Sequence, residues 1–181
     1  MPDFPILETE RLILRRLELD DAPLVYEYMQ DREIACNTLM IPFPYPPGAA
    51  EAWIAECQQA SEGGENFSFA ISRKSDGLFI GAIGIHCTPE HKRAEIGYWL
   101  GKPHRGQGYT SEAARRVIQF GFETLDLNRI YAGYFTRNPA SRRVMEKAGM
   151  TYEGTHRQNV LKWGEFVDVG SCAILRAEWE S

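Results

Sequence analysis

No apolar run in this chain approaches the roughly 20 residues that a membrane span needs. The opening Met1-Pro2-Asp3-Phe4-Pro5 has neither a basic region nor a long apolar core, so it does not read as a secretory signal. Basic excess is missing as well. The net charge is -5, the opposite of the surplus that general nucleic-acid binding draws on. Cysteine is sparse: Cys36, Cys57, Cys87 and Cys172 are scattered without a CxxC, and the four histidines form no ligand cluster. Such spacing argues against a metal site or a disulfide framework. It fits reduced, partly buried thiols in a cytosolic protein. Internal repeats, linkers and low-complexity stretches are also absent. The expectation is a cytoplasmic protein with no metal, no membrane and no direct nucleic-acid partner.

What is present describes an ordinary globular chain. It has 181 residues, 44% hydrophobic and 25% charged, enough for one well-cored domain over 1–181 and short for two. Glu10 to Leu17 reads as a first strand. Asp20-Asp21 offers an N-cap to a short helix over Ala22 to Gln30, and Asp31 to Leu39 has no clean period. Pro42, Pro44, Pro46 and Pro47 bar a helix or central strand and predict a stiff, extended loop with Phe43 and Tyr45 projecting. A helix over about Ala49 to Ala60 follows, with Ala52, Trp53, Ile54 and Ala55 for packing. Phe67 to Ile71 and Leu78 to Cys87 flank the hairpin signal Ser75-Asp76-Gly77. Ala94 to Leu100 and Arg129 to Phe135 are further strands, and Thr151 to Lys162 with Glu165 to Leu175 forms a last hairpin. Strands followed by helices and hairpins predict a mixed α/β (α+β) sheet with helices on both faces.

One stretch stands out: Arg105-Gly106-Gln107-Gly108-Tyr109-Thr110. It follows the Ala94 to Leu100 strand and opens a strongly amphipathic helix. Glu112, Arg115, Arg116, Gln119, Glu123 and Asp126 fall on one face of that helix; Ala113, Ala114, Val117, Ile118, Phe120, Phe122 and Leu125 fall on the other. Two glycines one residue apart let the backbone turn sharply and approach a ligand closely. Helix-start N–H groups lack intrahelical partners and, with the helix dipole, suit a phosphate. The turn is therefore a candidate pyrophosphate cradle; the plainer alternative is a strand-to-helix connection.

Gln/Arg-x-x-Gly-x-Gly/Ala is the acetyl-CoA signature of the GNAT N-acetyltransferases, and Arg105 to Thr110 matches it except that Thr110 replaces a small residue. With Leu7-Glu8-Thr9-Glu10-Arg11-Leu12, the Ala94 to Leu100 strand and Asn138-Pro139-Ala140-Ser141, the chain resembles the RimJ/RimL branch from about residue 7 to 179. The resemblance implies a mixed, mostly antiparallel seven-stranded sheet that splays between its fourth and fifth strands to hold the pantetheine arm. It implies acetyl-CoA as donor and a primary amine as acceptor, either a peptide N-terminus or a small molecule. It leaves monomer and homodimer open.

Acyl transfer to an amine needs a held donor, a polarised carbonyl, a neutral amine and a proton for the departing thiolate. By resemblance, Arg105, Gly106, Gln107, Gly108, Tyr109 and Thr110 hold the diphosphate. A backbone N–H in the Tyr98, Trp99, Leu100 region polarises the carbonyl. Glu95 sits where the family places a carboxylate that handles the amine, although alternation alone would leave it simply facing water. Asn138 is an N-cap and, by resemblance, a pantetheine partner; Arg142 is a candidate for the cofactor's phosphates. Many GNAT enzymes use a tyrosine as general acid four positions after Ser141, where this chain has Met145. Met145 cannot donate a proton, which leaves Ser141, or a water that it orders, as the donor to sulfur. Phe43 and Tyr45 are candidates for an acceptor wall; the plainer alternative is a connector with its aromatics tucked into the core.

Other classes fit less well. A nicotinamide dehydrogenase would carry GxGxxG after its first strand; this turn comes late and lacks the third glycine. A non-catalytic acyl-CoA-binding domain is the reading that Met145 and Thr110 leave open.

Overall fold

The computed structural model describes residues 4–179. Its strands are β1 (Leu7–Glu8), β2 (Leu12–Arg16), β3 (Asn66–Arg73), β4 (Phe79–Thr88), β5 (Arg93–Leu100), β6 (Arg129–Phe135), β7 (Thr151–Lys162) and β8 (Glu165–Leu175). They form one sheet in the order β1-β2-β3-β4-β5-β6-β8-β7. Every pairing is antiparallel except β5 with β6. The helices are α1 (Ala22–Met29), α2 (Arg32–Cys36), α3 (Ala49–Ser61), α4 (Tyr109–Glu123), α5 (Pro139–Lys147) and α6 (Arg176–Trp179). Among the described residues, no helix is long and apolar enough to cross a membrane.

The mixed sheet has one strand more than expected, because the Glu10 to Leu17 run does not stand alone. The Thr9 N–H donates to the Leu12 carbonyl at 3.0 Å, and the Leu12 N–H donates to Thr9 Oγ1 at 2.9 Å. That turn folds Leu7–Glu8 back against Ile13 and Leu14. Asp21 is the N-cap of α1, within the expected Asp20-Asp21, but its side chain is engaged elsewhere. The Asp21 side chain does not cap α1; it accepts from Arg15 at 2.7 and 2.8 Å and from the Glu18 N–H at 2.9 Å.

Two apolar layers sandwich the sheet. On one face, α4 and α5 bury Ile118, Phe120, Phe122 and Met145 against Phe69, Ile85, Ile96 and Ile130. Fully burying each such side chain stabilises by about 1.5–3 kcal/mol. Phe120 also meets Phe67 and Phe69 edge to face, with centroids 5.4 and 5.9 Å apart. On the other face, α1 and α3 bury Val25, Met29, Ala50 and Ile54 against Ala70 and Phe79. Helix α3 packs through Ala50 and Ile54, with Trp53 half-buried; Ala52 and Ala55 face water. The register of the 3.6-residue turn thus differs by about one position from the expected face.

The parallel pair β5–β6 is the feature that matters most for function. Only Arg93↔Arg129, Ala94↔Ile130 and Glu95↔Tyr131 are paired. Beyond them, β5 stays on β4 to Leu100 and β6 stays on β8 to Phe135. The two halves of the sheet separate there, and each strand presents an unpaired edge to the gap. With the short β1 left out of the count, this is the splay expected between the fourth and fifth strands of a seven-stranded sheet.

Candidate active site

The gap opens into a cleft of about 760 Å³. Its floor is the diverging backbone of Ile96 to Leu100 and Gly133 to Phe135. Gly106 and Thr110 line it at one end, Asn138 and Ser141 on α5 along one side, and Glu33, Ile34 and residues 37–41 along the other.

The glycine turn sits where the β5 edge ends. Gly106 and Gly108 have φ of +77° and +83°, which L side chains rarely adopt. A Cβ on Gly106 would meet nothing within 4 Å, so the space over the turn is open. The first intrahelical donor of α4 is the Glu112 N–H, to the Gly108 carbonyl at 3.1 Å. The N–H groups of Tyr109, Thr110 and Ser111 precede it at the positive end of a 15-residue helix. Open space over two left-handed glycines and a long helix start fits a diphosphate.

The side chains of this turn are largely committed to structure. Arg105 donates from Nε to the Leu100 carbonyl at 3.0 Å, from Nη1 to Glu33 at 2.9 Å and from Nη2 to Asp31 at 2.8 Å. Gln107 donates to the Pro103 carbonyl, and Tyr109 is buried with the Arg11 guanidinium 4.6 Å from its ring centroid. Glu112 fixes the first turn of α4 to the β1–β2 turn by accepting from Thr9 Oγ1 at 2.6 Å and from Arg11 N and Nε at 2.9 and 2.7 Å. Burial alone would raise the Glu112 pKa; those hydrogen bonds reverse it, and the carboxyl lies below its ordinary range.

Alternation along β5 sorts the chemistry by face. Tyr98 packs toward the α4–α5 layer, and Trp99 toward the α1–α3 layer, against Trp53 and Phe79. On the α5 side, the Tyr98 hydroxyl lies 3.0 Å from both the carbonyl and Oγ of Ser141. Burial pushes the Tyr98 phenol well above its ordinary range, and the Ser141 hydrogen bond only partly offsets this. Tyr98 therefore stays protonated and can keep Ser141 engaged. Asn138 caps α5 through the Ser141 N–H at 3.2 Å while lining the cleft. Met145 is buried in the core. Arg142 pairs with Glu146 at 2.8 Å and lies over Tyr152, on the outer face of α5.

Glu95 belongs to the opposite face. It is exposed at the cleft and directly across from His86 on β4. The His86 ring folds over Gly84, where an added Cβ would come within 2.9 Å of Nε2. Desolvation of its ring, although the residue as a whole is exposed, holds His86 below the ordinary histidine range against the pull of Glu95, so it is neutral near pH 7. Sequence reasoning missed His86 because a lone histidine in a strand carries no motif; its partner shows only in the β4–β5 register.

The proline-loop aromatics do not line the cleft. Tyr45 takes the inward alternative: it is 7% exposed and packs into the α1–α3 core beside Tyr26. Phe43 is exposed but lies away from the lining. The cleft wall is formed just upstream, by Asn37 to Ile41. The stiff loop tucks one ring inward because Tyr45 has apolar surface to cover there. Among the described residues, no group of three or more His, Cys, Asp or Glu side chains is placed to hold a metal ion.

A family model described as an acetyltransferase (GNAT) domain matches residues 11–151. Over 174 residues the chain is 34% identical to the uncharacterized N-acetyltransferase p20 of Bacillus licheniformis, covering 96% of this chain and 97% of that protein. It superposes on a GNAT-family acetyltransferase from Bacillus anthracis with a TM-score of 0.85 at 27% identity, covering 94% of this chain and 98% of the other. RimL, a ribosomal L7/L12 α-N-protein acetyltransferase in complex with coenzyme A, superposes with a TM-score of 0.86 over 94% of this chain and 98% of its own; at 19% identity that likeness is one of fold. The chain belongs to the GNAT acetyltransferase family. It is an acyltransferase of the N-acetyltransferase type.

Proposed function

We propose that the cleft binds acetyl-CoA and directs its acetyl group straight to a primary amine, foremost the α-amine of a peptide. The observation that carries this reading is the division of proton-handling groups between the two faces of the splayed gap. Glu95 and His86 lie on one face and Ser141 with Tyr98 on the other. When bound, acetyl-CoA supplies an activated thioester. The chain's residues do the rest. The glycine turn and the α4 start receive the diphosphate through backbone N–H groups. The free β5 edge at Tyr98 to Leu100 turns a backbone N–H toward the carbonyl. Glu95, helped by neutral His86, takes the proton that the amine loses. Ser141 gives its hydroxyl proton to the departing sulfur and regains one from the open cleft. No cysteine is required as a nucleophile.

The preference for an α-amine rests on acid–base arithmetic. Near pH 7.4 roughly a quarter of α-amino groups are neutral, against about a thousandth of lysine side chains. An exposed carboxylate and a neutral imidazole make a modest base, which suits the amine that needs the least help. RimL supports the reading as a CoA-binding relative in fold that acts on a protein N-terminus. The test is acetyl-CoA consumption with four acceptors: a peptide with a free α-amine, an N-terminally blocked peptide carrying lysine, spermidine, and free amino acids. The free-α-amine peptide is expected to turn over fastest. Faster turnover of spermidine or of free amino acids moves the acceptor to a small-molecule amine. Silence with all four refutes the proposal.

A further inference from the structure

Burial holds the Asn37 to Ile41 wall only in part: Ile41 packs on the α1–α3 core, but Leu39 is 48% exposed and Met40 85%. Polar contacts hold it at both ends. At the far end, Lys162 of β7 donates from Nζ to the carbonyls of Leu39 and Ile41, each at 3.1 Å, and where α2 passes into the wall Arg137 donates to the Cys36 carbonyl at 2.5 Å. At the near end stands Asp31. One of its carboxylate oxygens accepts the Glu33 N–H at 3.0 Å and caps α2; the other accepts Arg105 Nη2 at 2.8 Å. Arg105 is the first residue of the glycine turn, and its Nε is bonded to the end of β5. A single guanidinium therefore joins the donor turn, the last carbonyl of the open β5 edge and the head of the acceptor wall. The side chains of Arg105 and Asp31 are 29% and 20% exposed, so solvent screens this joint less than a surface pair.

We propose that Asp31 is a positioning residue. Through Arg105 it couples the donor turn to the acceptor wall, so that filling the turn fixes the wall that the amine meets. The proposal deepens the acetyl-CoA reading above and rests on its donor site. Helix α2 has five residues, too few to be stable alone. The exposed segment after it belongs to the class that opens locally at little cost. A ligand that orders the turn restricts Arg105. Arg105 restricts Asp31 and with it the start of α2, and an acceptor arriving afterwards finds the wall already ordered. The guanidinium has three of its donors engaged by Leu100, Glu33 and Asp31, so its role here is that of a joint, while the diphosphate is read by the backbone of the turn.

Hydrogen exchange by mass spectrometry on the full chain, with coenzyme A as the probe, tests this without knowledge of the acceptor. In the wild type, saturating coenzyme A is expected to slow exchange in peptides covering 105–113. It should also slow exchange in peptides covering 32–41 by about fivefold or more, the lower end of ordinary coupling between sites. Asp31→Asn is the discriminating variant. Asparagine caps a helix about as well as aspartate, so α2 keeps its cap, but the amide turns an N–H toward Arg105 in place of an oxygen. Protection at 105–113 should persist in Asp31→Asn, and protection at 32–41 should fall away. Should Asp31→Asn fail to fold, Arg105→Gln breaks the joint from the other side with the same readout. Full protection at 32–41 in the variant overturns Asp31 as the positioning residue, since Glu33 of α2 still binds Arg105; full protection in Arg105→Gln, which removes both ion pairs, overturns the coupling itself. Wild-type protection of the turn alone overturns it too, yet leaves the donor site standing. Protection of neither segment removes the donor-site reading and the coupling with it.

Discussion

Gly108→Ala separates a ligand cradle from a plain turn. Gly108 starts α4 with φ +83° and ψ -1°. A Cβ there would have Arg11 Nη2 at 3.5 Å, an ordinary contact, so the methyl is not excluded by crowding. The stability cost is that of the left-handed backbone, about 1–2 kcal/mol. For a chain of this size that lowers Tm by about 2–8 °C. The effect on binding has a different origin. Gly108 directly precedes the first N–H groups of α4, so the constrained backbone of an alanine there is expected to cost the diphosphate at least one charge-assisted hydrogen bond, about 1.5–3 kcal/mol. Affinity for acetyl-CoA should then fall by about 10- to 150-fold. Calorimetry well below Tm, beside a thermal melt, reads both effects. Gly64→Ala is the control: Gly64 has φ +73°, a Cβ on it would meet nothing within 4 Å, and it follows α3 rather than opening α4. It should show a similar Tm loss with unchanged affinity. If Gly108→Ala melts lower but binds acetyl-CoA within about threefold of wild type, no hydrogen bond of that size was lost and the cradle is only a turn.

Three further outcomes follow from the same geometry. Ser141→Ala should lower kcat by about 100-fold, the lower range for a positioned acid, with little change in acetyl-CoA affinity; an unchanged kcat removes Ser141 from the chemistry. Glu95→Gln should lower kcat modestly and move the pH–rate profile upward, because the rate then follows the amine's own deprotonation; a profile that keeps its position excludes Glu95 as the base. The Glu112 carboxyl lies below its ordinary range in the folded chain, so its stabilising contribution is present above the unfolded carboxylate pKa and is lost as pH falls through the folded value. Glu112→Gln should therefore cost about 1–3 kcal/mol at pH 7 and flatten the acid side of the stability curve; parallel wild-type and variant curves would refute the assignment.

The parts of the fold that the sequence makes legible are those whose partners are close along the chain. The two faces of α4 follow from a 3.6-residue period, and the cap on α5 follows from Asn138 before Pro139. β6 runs from Arg129 to Phe135 as its pattern predicts. The acceptor wall is different. Residues 37–41 have no period, and what holds them is Lys162, more than 120 positions away. Arg105 carries the family signature, yet its side chain bonds Asp31 and Glu33 over 70 residues upstream. Whether Tyr45 projects or tucks inward stays open in the sequence, because proline content reports stiffness but not which way a ring turns; in the fold it is buried. The pairing of His86 with Glu95 depends on strand register, which the two strands set only when they meet.

The most direct measurement of the central claim is the position of the acetyl group on a peptide that carries one free α-amine and one lysine, mapped by mass spectrometry after turnover with acetyl-CoA, with the mass of the intact enzyme recorded in the same reaction. The account predicts acetylation at the peptide's N-terminus and an enzyme free of acetyl groups, with Cys36, Cys57, Cys87 and Cys172 unmodified. Acetylation on the lysine alone, or an acetyl group trapped on one of those cysteines, would contradict it.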